Sequence, residues 1–147
     1  MSGYDPIAPI YDRYWGAFSV RRFLPVLERW LLPNPSPEAW VLDLGCGTEA
    51  LAQVLTQRGC RVLGINLSPS MIRQAYERLP AGRALVADMR ALPLASRFHA
   101  VYAVFASLNH LLTPEHLNAA FQSVARTLRP GGWFLFDLNT EDDYHQR

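Results

Sequence analysis

The chain has 147 residues, and its 14 lysine and arginine residues against 13 aspartate and glutamate residues give a formal net charge of +1. This length fits one domain with its own core, and the mixed charges provide neither a basic stripe for a nucleic-acid backbone nor a polyacidic tail. The start of the chain lacks a signal-peptide pattern, and no window approaches the roughly 20 apolar residues that a membrane span needs. We therefore predict a single cytoplasmic domain that binds neither nucleic acid nor membranes, with residues 1–35 as a helical segment and linker and residues 36–147 as the core.

The segment before the first predicted strand carries apolar residues at helical spacing, which predicts a helix with one buried face. Pro25 marks either a kink in this helix or the true start of its second half. The proline-rich run at residues 32–37 then forms a stiff connector to the sheet, because too little chain precedes it to fold alone. The apolar positions of the helix are Val20, Phe23, Leu24, Leu27, Trp30 and Leu31.

Short, nearly continuous apolar runs alternate with helical periods over the rest of the chain. Continuous runs are typical of strands covered on both faces, and helices between successive strands require a parallel sheet with right-handed crossovers. We therefore predict an α/β fold with helices on both faces of the sheet. The predicted strands are Trp40–Leu44, Arg61–Ile65, Ala84–Ala87, Ala100–Phe105 and Trp133–Phe136; the predicted helices are Glu49–Arg58, Pro69–Arg78 with Ser68 as N-cap, and Pro114–Leu128 with Thr113 as N-cap, closing at residues 129–132.

A glycine-rich loop, Gly45-Cys46-Gly47-Thr48, follows the first predicted strand and leads directly into a helical segment. Its glycines allow a sharp turn and a close approach of the backbone to a ligand, while the helix N-terminus offers unpaired N–H groups. Together with Ala50 the loop also fits the dinucleotide fingerprint G-x-G-x-x-G/A, so by itself it does not separate NAD from other nucleotide-type cofactors. Asp43 favours a cofactor other than NAD, because a carboxylate at this position suits the ammonium of an amino acid and would repel a pyrophosphate.

Five segments in order carry family-like motifs: Tyr4-Asp5-x-x-Ala8-x-x-Tyr11-Asp12; Val41 to Thr48; Gly64 to Ile72; Ala87-Asp88-Met89 with Leu92-Pro93; and Leu128-Arg129-Pro130-Gly131-Gly132. Together they resemble the class I S-adenosylmethionine (SAM) dependent methyltransferases of the small-molecule type. The resemblance covers nearly the whole chain. It implies a Rossmann-like sheet with strand order 3-2-1-4-5, lacking the last two strands usual in the family.

The resemblance also assigns a cofactor site for SAM. The glycine loop would cradle the methionine part, the acidic residue ending the second strand would bind both ribose hydroxyls, and the aspartate after the third strand would meet the adenine amine. Leu67 and Met89 would flank the adenine. The residues implied for this site are Asp43, Gly45, Cys46, Gly47, Asn66, Leu67, Met71, Asp88, Met89 and Phe105.

Few residues are needed for the chemistry, because the sulfonium of SAM already makes its methyl group a strong electrophile and alignment of the acceptor is the main requirement. The family places Tyr11, Asn109 and His110 towards the methyl group and a small-molecule acceptor. His110 is either a base or a helix or loop histidine with a structural partner. Cys46 and Cys60 lack a CxxC spacing, and the other histidines lack ligand spacing, so we expect neither a metal site nor a disulfide.

Two residues depart from the family pattern. Glu49 stands where the family has glycine, and its side chain either occupies the space of the cofactor's amino-acid end or points to the surface as an acid that favours a helix N-terminus. Asn66 stands where the family has aspartate or glutamate. It keeps one acceptor for the ribose but loses the charge-assisted pair, a loss of roughly 1 to 3 kcal/mol.

The third departure is length, since only a few residues follow the fifth predicted strand. An apolar edge over Trp133–Leu138 normally requires a cover. We expect the remaining strands to come from another chain, by homodimerisation or from a separately encoded half, or the chain to be a truncated form of a longer one or the product of a degraded gene.

Three functions are therefore open. The first is a SAM-dependent methyltransferase domain acting on a small molecule, impaired by Glu49, Asn66 and the short C-terminus. The second is a catalytically silent SAM-fold partner or regulatory protein. The third, which Asp43 disfavours, is an NAD(P)-binding protein.

Overall fold

A computed structural model describes residues 6–30, 39–47, 49–80 and 83–145, except for the side chains at positions 8, 11, 12, 144 and 145. Five parallel strands form one sheet in the order β3-β2-β1-β4-β5. This arrangement confirms the predicted α/β class and strand order. The strands are β1 (Trp40–Leu44), β2 (Arg61–Asn66), β3 (Ala84–Val86), β4 (Phe98–Ala103) and β5 (Leu128–Phe136).

The helices lie between and beside these strands: α1 (Ala8–Trp30), α2 (Ala50–Gln57), α3 (Pro69–Ala75), α4 (Pro114–Thr127) and α5 (Glu141–His145). Both predicted N-caps are confirmed. The Ser68 hydroxyl accepts from the backbone N–H of Met71 at 3.2 Å, and the Thr113 hydroxyl accepts from that of His116 at 3.2 Å. In each case proline follows the cap, where its missing N–H costs nothing.

Several predicted boundaries are wrong. Helix α1 continues through Pro25, so no second helix starts there. Helix α3 ends early because the chain tightens, with Arg78 N donating to Ala75 O at 3.0 Å over three residues. Strand β4 starts two residues earlier and ends two residues before the predicted Phe105. Strand β5 starts at Leu128, because this residue already pairs with Phe98 across a local shift of register; residues 129–132, expected to close a helix, therefore belong to the strand.

The sheet is buried between two layers of helices, as its continuous apolar strands require. On one face Val41 and Tyr102 pack with α1 and α2, chiefly through Leu27 and Leu55. Side chains alternate along β1, so Leu42 and Leu44 belong to the other face, where the core includes Val124 of α4, and Asp43 shares the first face with Val41. The alternation places a carboxyl group inside the layer formed by α1 and α2.

The outer side of β5 is apolar and exposed within the part of the chain that the structure describes. Trp133 is 58% exposed, Phe136 40% and Leu138 42%. The Trp133 ring lies 6.3 Å from that of Trp30, at the end of α1. The sequence predicted this apolar edge; what covers it stays a prediction. None of the described helices is both long and apolar enough to span a membrane.

Candidate functional site

Two adjoining cavities open at the carboxyl ends of the central strands, where parallel α/β sheets bind ligands. The larger has a volume of about 660 Å³ and the smaller about 40 Å³, and both are lined by Gly45 and Phe105. The structure brings all ten predicted cofactor residues to the lining of these cavities. The larger is lined by Gly45, Gly47, Asn66, Leu67, Met71, Asp88, Met89 and Phe105, and the smaller by Asp43, Gly45, Cys46 and Phe105.

The glycine loop is attached to the end of β2. The backbone N–H groups of Gly45 and Cys46 both donate to Ile65 O, at 2.8 and 3.0 Å. Gly45 has a φ of +74°. A Cβ on Gly45 would also lie only 2.6 Å from the Ser107 hydroxyl, which places the loop directly against the segment after β4. The loop therefore requires glycine at this position for both its conformation and its contacts.

One end of the larger cavity combines apolar flanks with polar side chains. Leu67, after β2, and Met89, after β3, both line it. The side-chain oxygen of Asn66, at the end of β2, accepts from the Ser68 N–H at 2.8 Å, which uses part of its acceptor capacity and orients its amide. Its NH₂ group has no equivalent among the carboxylates that the family places here.

Asp88 lies at the same end and is paired with Arg90. The guanidinium donates from Nε to both carboxylate oxygens at 3.0 Å and from an Nη atom to Oδ2 at 2.6 Å, while the Arg90 N–H donates to Oδ1 at 2.9 Å. These hydrogen bonds hold the pKa of the Asp88 carboxyl below its ordinary value, although partial burial opposes them. Asp88 is therefore an ionised acceptor at neutral pH.

The smaller cavity, which forms the narrow end of the site, is lined by a buried acid. Asp43 is 4% exposed, and its Oδ2 accepts from the Tyr102 hydroxyl at 2.7 Å. Burial raises the pKa of Asp43 to about 7, against the lowering effect of this hydrogen bond. Burial also raises the pKa of Tyr102, and the neighbouring Asp43 charge raises it further. Such a carboxyl can accept a hydrogen bond from an ammonium group or hold a proton itself.

Glu49 is completely buried and does not line either cavity. Its backbone has a φ of +67°, a conformation in which glycine is unstrained, and its carboxylate lies against Gly64, the partner of Asp43 across β1 and β2. Neither carboxylate oxygen meets a hydrogen-bond donor at bonding distance within the described residues, although the Cys46 thiol is near enough to lower its pKa slightly. Burial, and then the Asp43 charge, raise the pKa of Glu49 well above its ordinary value.

Both alternatives for Glu49 therefore need correction. The side chain does not point to the surface, and it does not fill the cavity where the cofactor's amino-acid end would lie. It turns under the glycine loop onto β2, where Gly64 leaves the space that it occupies.

This packing predicts a compensating pair of substitutions. In Gly64→Ala the new Cβ would lie 1.2 Å from the Glu49 carboxylate, so the acid must move, and overpacking of this kind costs roughly 1 to 3 kcal/mol. In a Glu49→Gly background the same change should cost less than about 0.5 kcal/mol, because the colliding group is gone. Urea unfolding of the single and double variants measures the difference, and equal costs in both backgrounds would contradict the contact.

The three residues predicted to face the acceptor have different locations. His110 is exposed and lines the larger cavity. Asn109 is not among the residues that line either cavity; its amide donates to Asn139 O at 2.9 Å and accepts from Asn139 N at 3.0 Å, which holds the segment after β5. The side chain of Tyr11 lies outside the described residues.

Sequence reasoning missed several residues that line the larger cavity. Arg90 could have been found, since an arginine two positions after an aspartate at a helix start is placed to pair with it. His116 gave no such signal, because it reaches the site only through the packing of α4 beside residues 89–91. The missed residues are Ile65, Ala87, Arg90, Ser107, Leu111, Leu112, Thr113 and His116.

Aromatic side chains of α1 pack on Phe105 beside the narrow end. The Phe105 ring lies 5.7 Å from Trp15, 5.9 Å from Phe18 and 6.2 Å from Phe23. Phe105 and Ala106 have φ values of +61° and +57°, and the Ala106 N–H donates to the Asp137 carboxylate at 2.9 Å. The left-handed backbone at this position turns Phe105 towards α1, where its ring packs with these three aromatic side chains.

Taken together, the sheet order and the glycine loop define a Rossmann-like domain with two cavities at the carboxyl ends of its central strands. The methyltransferase-domain family matches residues 41–132, more than half of the chain. The chain belongs to this family, and the class predicted from its motifs, the class I SAM-dependent methyltransferases with SAM as cofactor, is confirmed.

Similar proteins include enzymes acting on quite different acceptors. A dTDP-3-amino-3,4,6-trideoxy-α-D-glucopyranose N,N-dimethyltransferase of Streptomyces venezuelae is 38% identical over 103 residues, which are 69% of this chain and 44% of that protein. A malonyl-[acyl-carrier protein] O-methyltransferase of Enterobacter lignolyticus is 35% identical over 105 residues, 71% of this chain and 40% of that protein. The chain thus spans about half or less of the length of these two relatives.

Solved structures give the same result for the fold. The SAM-bound amino pentose methyltransferase of Micromonospora echinaspora, involved in calicheamicin biosynthesis, superposes with a TM-score of 0.73 at 31% identity, covering 87% of this chain and 56% of that one. The Streptomyces venezuelae protein DesVI superposes with a TM-score of 0.73 at 29% identity, covering 90% of this chain and 57% of that one.

Proposed function

We propose that this chain binds SAM across the two cavities and forms the cofactor-binding part of a methyltransferase acting on a small-molecule acceptor. One observation carries the proposal: an ionised carboxylate, Asp88, lines the larger cavity and a buried acid, Asp43, lines the smaller one, and the two cavities share Gly45 and Phe105. SAM likewise has an amino-bearing base at one end and an ammonium group at the other. The volume of about 660 Å³ lies in the range of small-molecule sites.

The residues present fit this ligand. Asp88 would accept from the adenine amine between Leu67 and Met89, and Asn66 would accept from a ribose hydroxyl through its remaining lone pair. Asp43 would accept from the ammonium group beyond Gly45. Gly45 lines both cavities and has no side chain, so the loop adds no bulk where the ligand would extend from one cavity to the other. A side chain at this position would collide with Ser107.

When bound, SAM supplies an electrophilic methyl group, so this chain's residues have to bind, orient and exclude water. Phe105, backed by the rings of α1, supports exclusion of water beside the narrow end. His110 lines the larger cavity from the segment after β4 and can take up a proton from an acceptor there. We retain His110 as the acceptor-side base; Tyr11 stays a prediction from the resemblance.

The acceptors named for the relatives support a small molecule or a carrier-bound acyl group, since one relative methylates an amino sugar and another a malonyl carrier protein. In such enzymes the half of the protein outside the region matched here is available to contact the acceptor. We therefore propose the acceptor only by class.

Calorimetric titration with SAM tests the proposal. We expect saturable binding by the wild-type chain and roughly tenfold tighter binding by Asn66→Asp, because the carboxylate restores a charge-assisted hydrogen bond to the ribose. Asn118→Asp, an exposed change on α4, adds the same charge away from the site and should leave the affinity unchanged. Absence of binding by both the wild type and Asn66→Asp at millimolar SAM would reject the proposal.

A second candidate, a silent SAM-fold partner protein, is favoured by the buried acid at Glu49. This side chain adds a second buried acid next to Asp43, and its left-handed backbone lies directly after the glycine loop that must receive the cofactor. This function is supported if the wild type fails to bind SAM while the Glu49→Gly, Asn66→Asp double variant binds it.

A further inference from the structure

Arg90 forms a fork on Asp88 that uses most of the acceptor capacity of the carboxylate. Oδ1 accepts from the Arg90 backbone N–H and from Nε, and Oδ2 accepts from Nε and from an Nη atom. A carboxylate offers about four lone-pair directions. The Nε–H is shared between the two oxygens, so three N–H groups use about three of these directions. About one acceptor direction of the carboxylate is therefore left for a ligand in the larger cavity, which both residues line.

A third side chain supports the fork from outside. The second Nη atom of Arg90 lies 3.2 Å from His116 Nε2. A guanidinium has only donors, so Nε2 must be the unprotonated acceptor of this ring. His116 belongs to the first turn of α4, whose N-cap is Thr113, and the contact ties the guanidinium to a helix that is itself fixed on the core.

The fork contributes little to the stability of the fold. The Arg90 and Asp88 side chains are 38% and 31% exposed, and ion pairs with this exposure stabilise proteins only weakly. Both side chains nevertheless reach the cavity. The pair therefore matters for ligand binding rather than for the core. It keeps the Asp88 carboxylate ionised and fixes the direction in which its remaining lone pair can accept a hydrogen bond.

We infer that Arg90 is a positioning residue for base selection, which makes the site accept a purine with a 6-amino group and reject one with a 6-oxo group. This inference rests on the proposed SAM binding. A clamped, ionised carboxylate can only accept, and an adenine amine donates, whereas the carbonyl of hypoxanthine would face it acceptor to acceptor. Without the fork the carboxylate can rotate away from the base, and the distinction weakens.

The test compares two ligands, S-adenosylhomocysteine and S-inosylhomocysteine, by calorimetry. For the wild type we expect a preference for the adenine ligand of about tenfold to a hundredfold. In Arg90→Met, which keeps an unbranched side chain as far as the position of Nε but removes the guanidinium, the preference should fall below about threefold. Arg90→Lys, which keeps the charge without the fork geometry, should lie between them. Arg126→Met, an exposed change on α4, is the matched control and should retain the full preference.

A second measurement does not depend on a ligand. The pKa of the Asp88 carboxyl, followed by carbon NMR in the free protein, should lie below its ordinary value in the wild type and move up in Arg90→Met but not in Arg126→Met. A thermal melt within a few degrees of the wild type shows that each variant is folded.

The outcomes separate the two proposals. Failure of the wild type to bind either nucleoside overturns both. Binding with an equal preference in the wild type and in Arg90→Met overturns the role of Arg90 alone and leaves SAM binding in place. An Asp88 pKa that does not move in Arg90→Met overturns the fork itself.

Discussion

The domain should gain about 3 kcal/mol of stability between pH 8 and pH 5 from Asp43 alone, and more from Glu49, which is the reverse of ordinary acid denaturation. Burial raises the pKa of Asp43 from 3.8 to about 7 and that of Glu49 well above its ordinary value. The folded state therefore binds protons more readily than the unfolded chain. This contribution is fully present below pH 3.8 and is lost as the pH rises through about 7.

Other groups with shifted pKa values act outside this range or weakly. The lowered pKa of Asp88 stabilises the folded state above its unfolded value of 3.8, so its contribution is lost only in more acidic solution. The pKa of His99 is lowered from 6.5, mainly by burial, and this opposes the gain over part of the range. His99 is only partly buried, and we expect its effect to be the smaller one.

Urea unfolding at several values of pH from 5 to 8 measures the effect. In Glu49→Gln the slope of stability against pH should decrease, and in the Asp43→Asn, Glu49→Gln double variant it should nearly vanish or reverse through His99. Glu77→Gln removes an exposed carboxylate and should leave the slope as it is. An unchanged slope in the double variant would show that the acids under the glycine loop are not the source.

Replacement of Gly45 by alanine should cost roughly 3 kcal/mol of stability and abolish measurable SAM binding. Two effects combine, since alanine at a φ of +74° is strained by about 1 kcal/mol or more, and its Cβ would lie 2.6 Å from Ser107 Oγ and 2.8 Å from Ser107 Cβ. Relief of the collision moves the loop away from the segment after β4, and the passage between the two cavities with it.

The chain offers matched variants that separate these effects. Gly59 has a φ of +94° with no atom within 4 Å of an added Cβ, so Gly59→Ala measures the conformational strain alone, about 1 kcal/mol. Ser107→Gly removes the colliding atoms. We expect Gly45→Ala to lose more stability than Gly59→Ala, and the Gly45→Ala, Ser107→Gly double variant to recover part of this additional loss. Equal costs for Gly45→Ala and Gly59→Ala would contradict the contact with Ser107.

Much of the fold could be predicted because local patterns determine it. Continuous apolar runs marked the buried strands, and Ser68 and Thr113 marked two helix starts to the residue. The start of β5 was missed because it depends on pairing with Phe98, thirty positions earlier along the chain, across a register shift that no local pattern carries.

In the site, too, features set by local sequence could be predicted, and features set by contacts between distant segments could not. Its glycine loop and polar residues belong to contiguous motifs, and the structure places them around two adjoining cavities. The inward turn of Glu49 depends on Gly64, which only the register of β1 and β2 brings opposite Asp43. The reciprocal bonds between Asn109 and Asn139 likewise join segments distant in sequence, so an amide that the family motif directs to the acceptor is engaged elsewhere.

The contact between Trp30 and Trp133 has a consequence for synthesis on the ribosome. Helix α1 is synthesised before β5, and its last residue, Trp30, contacts Trp133 of β5. The aromatic side chains of α1 therefore lack this contact until β5 has been synthesised. Contacts so distant in sequence form late and slow the search for the native state. Until β5 has left the exit tunnel, α1 exposes apolar side chains that β5 later contacts, and we expect a chaperone that binds aromatic side chains to bind α1 during that interval.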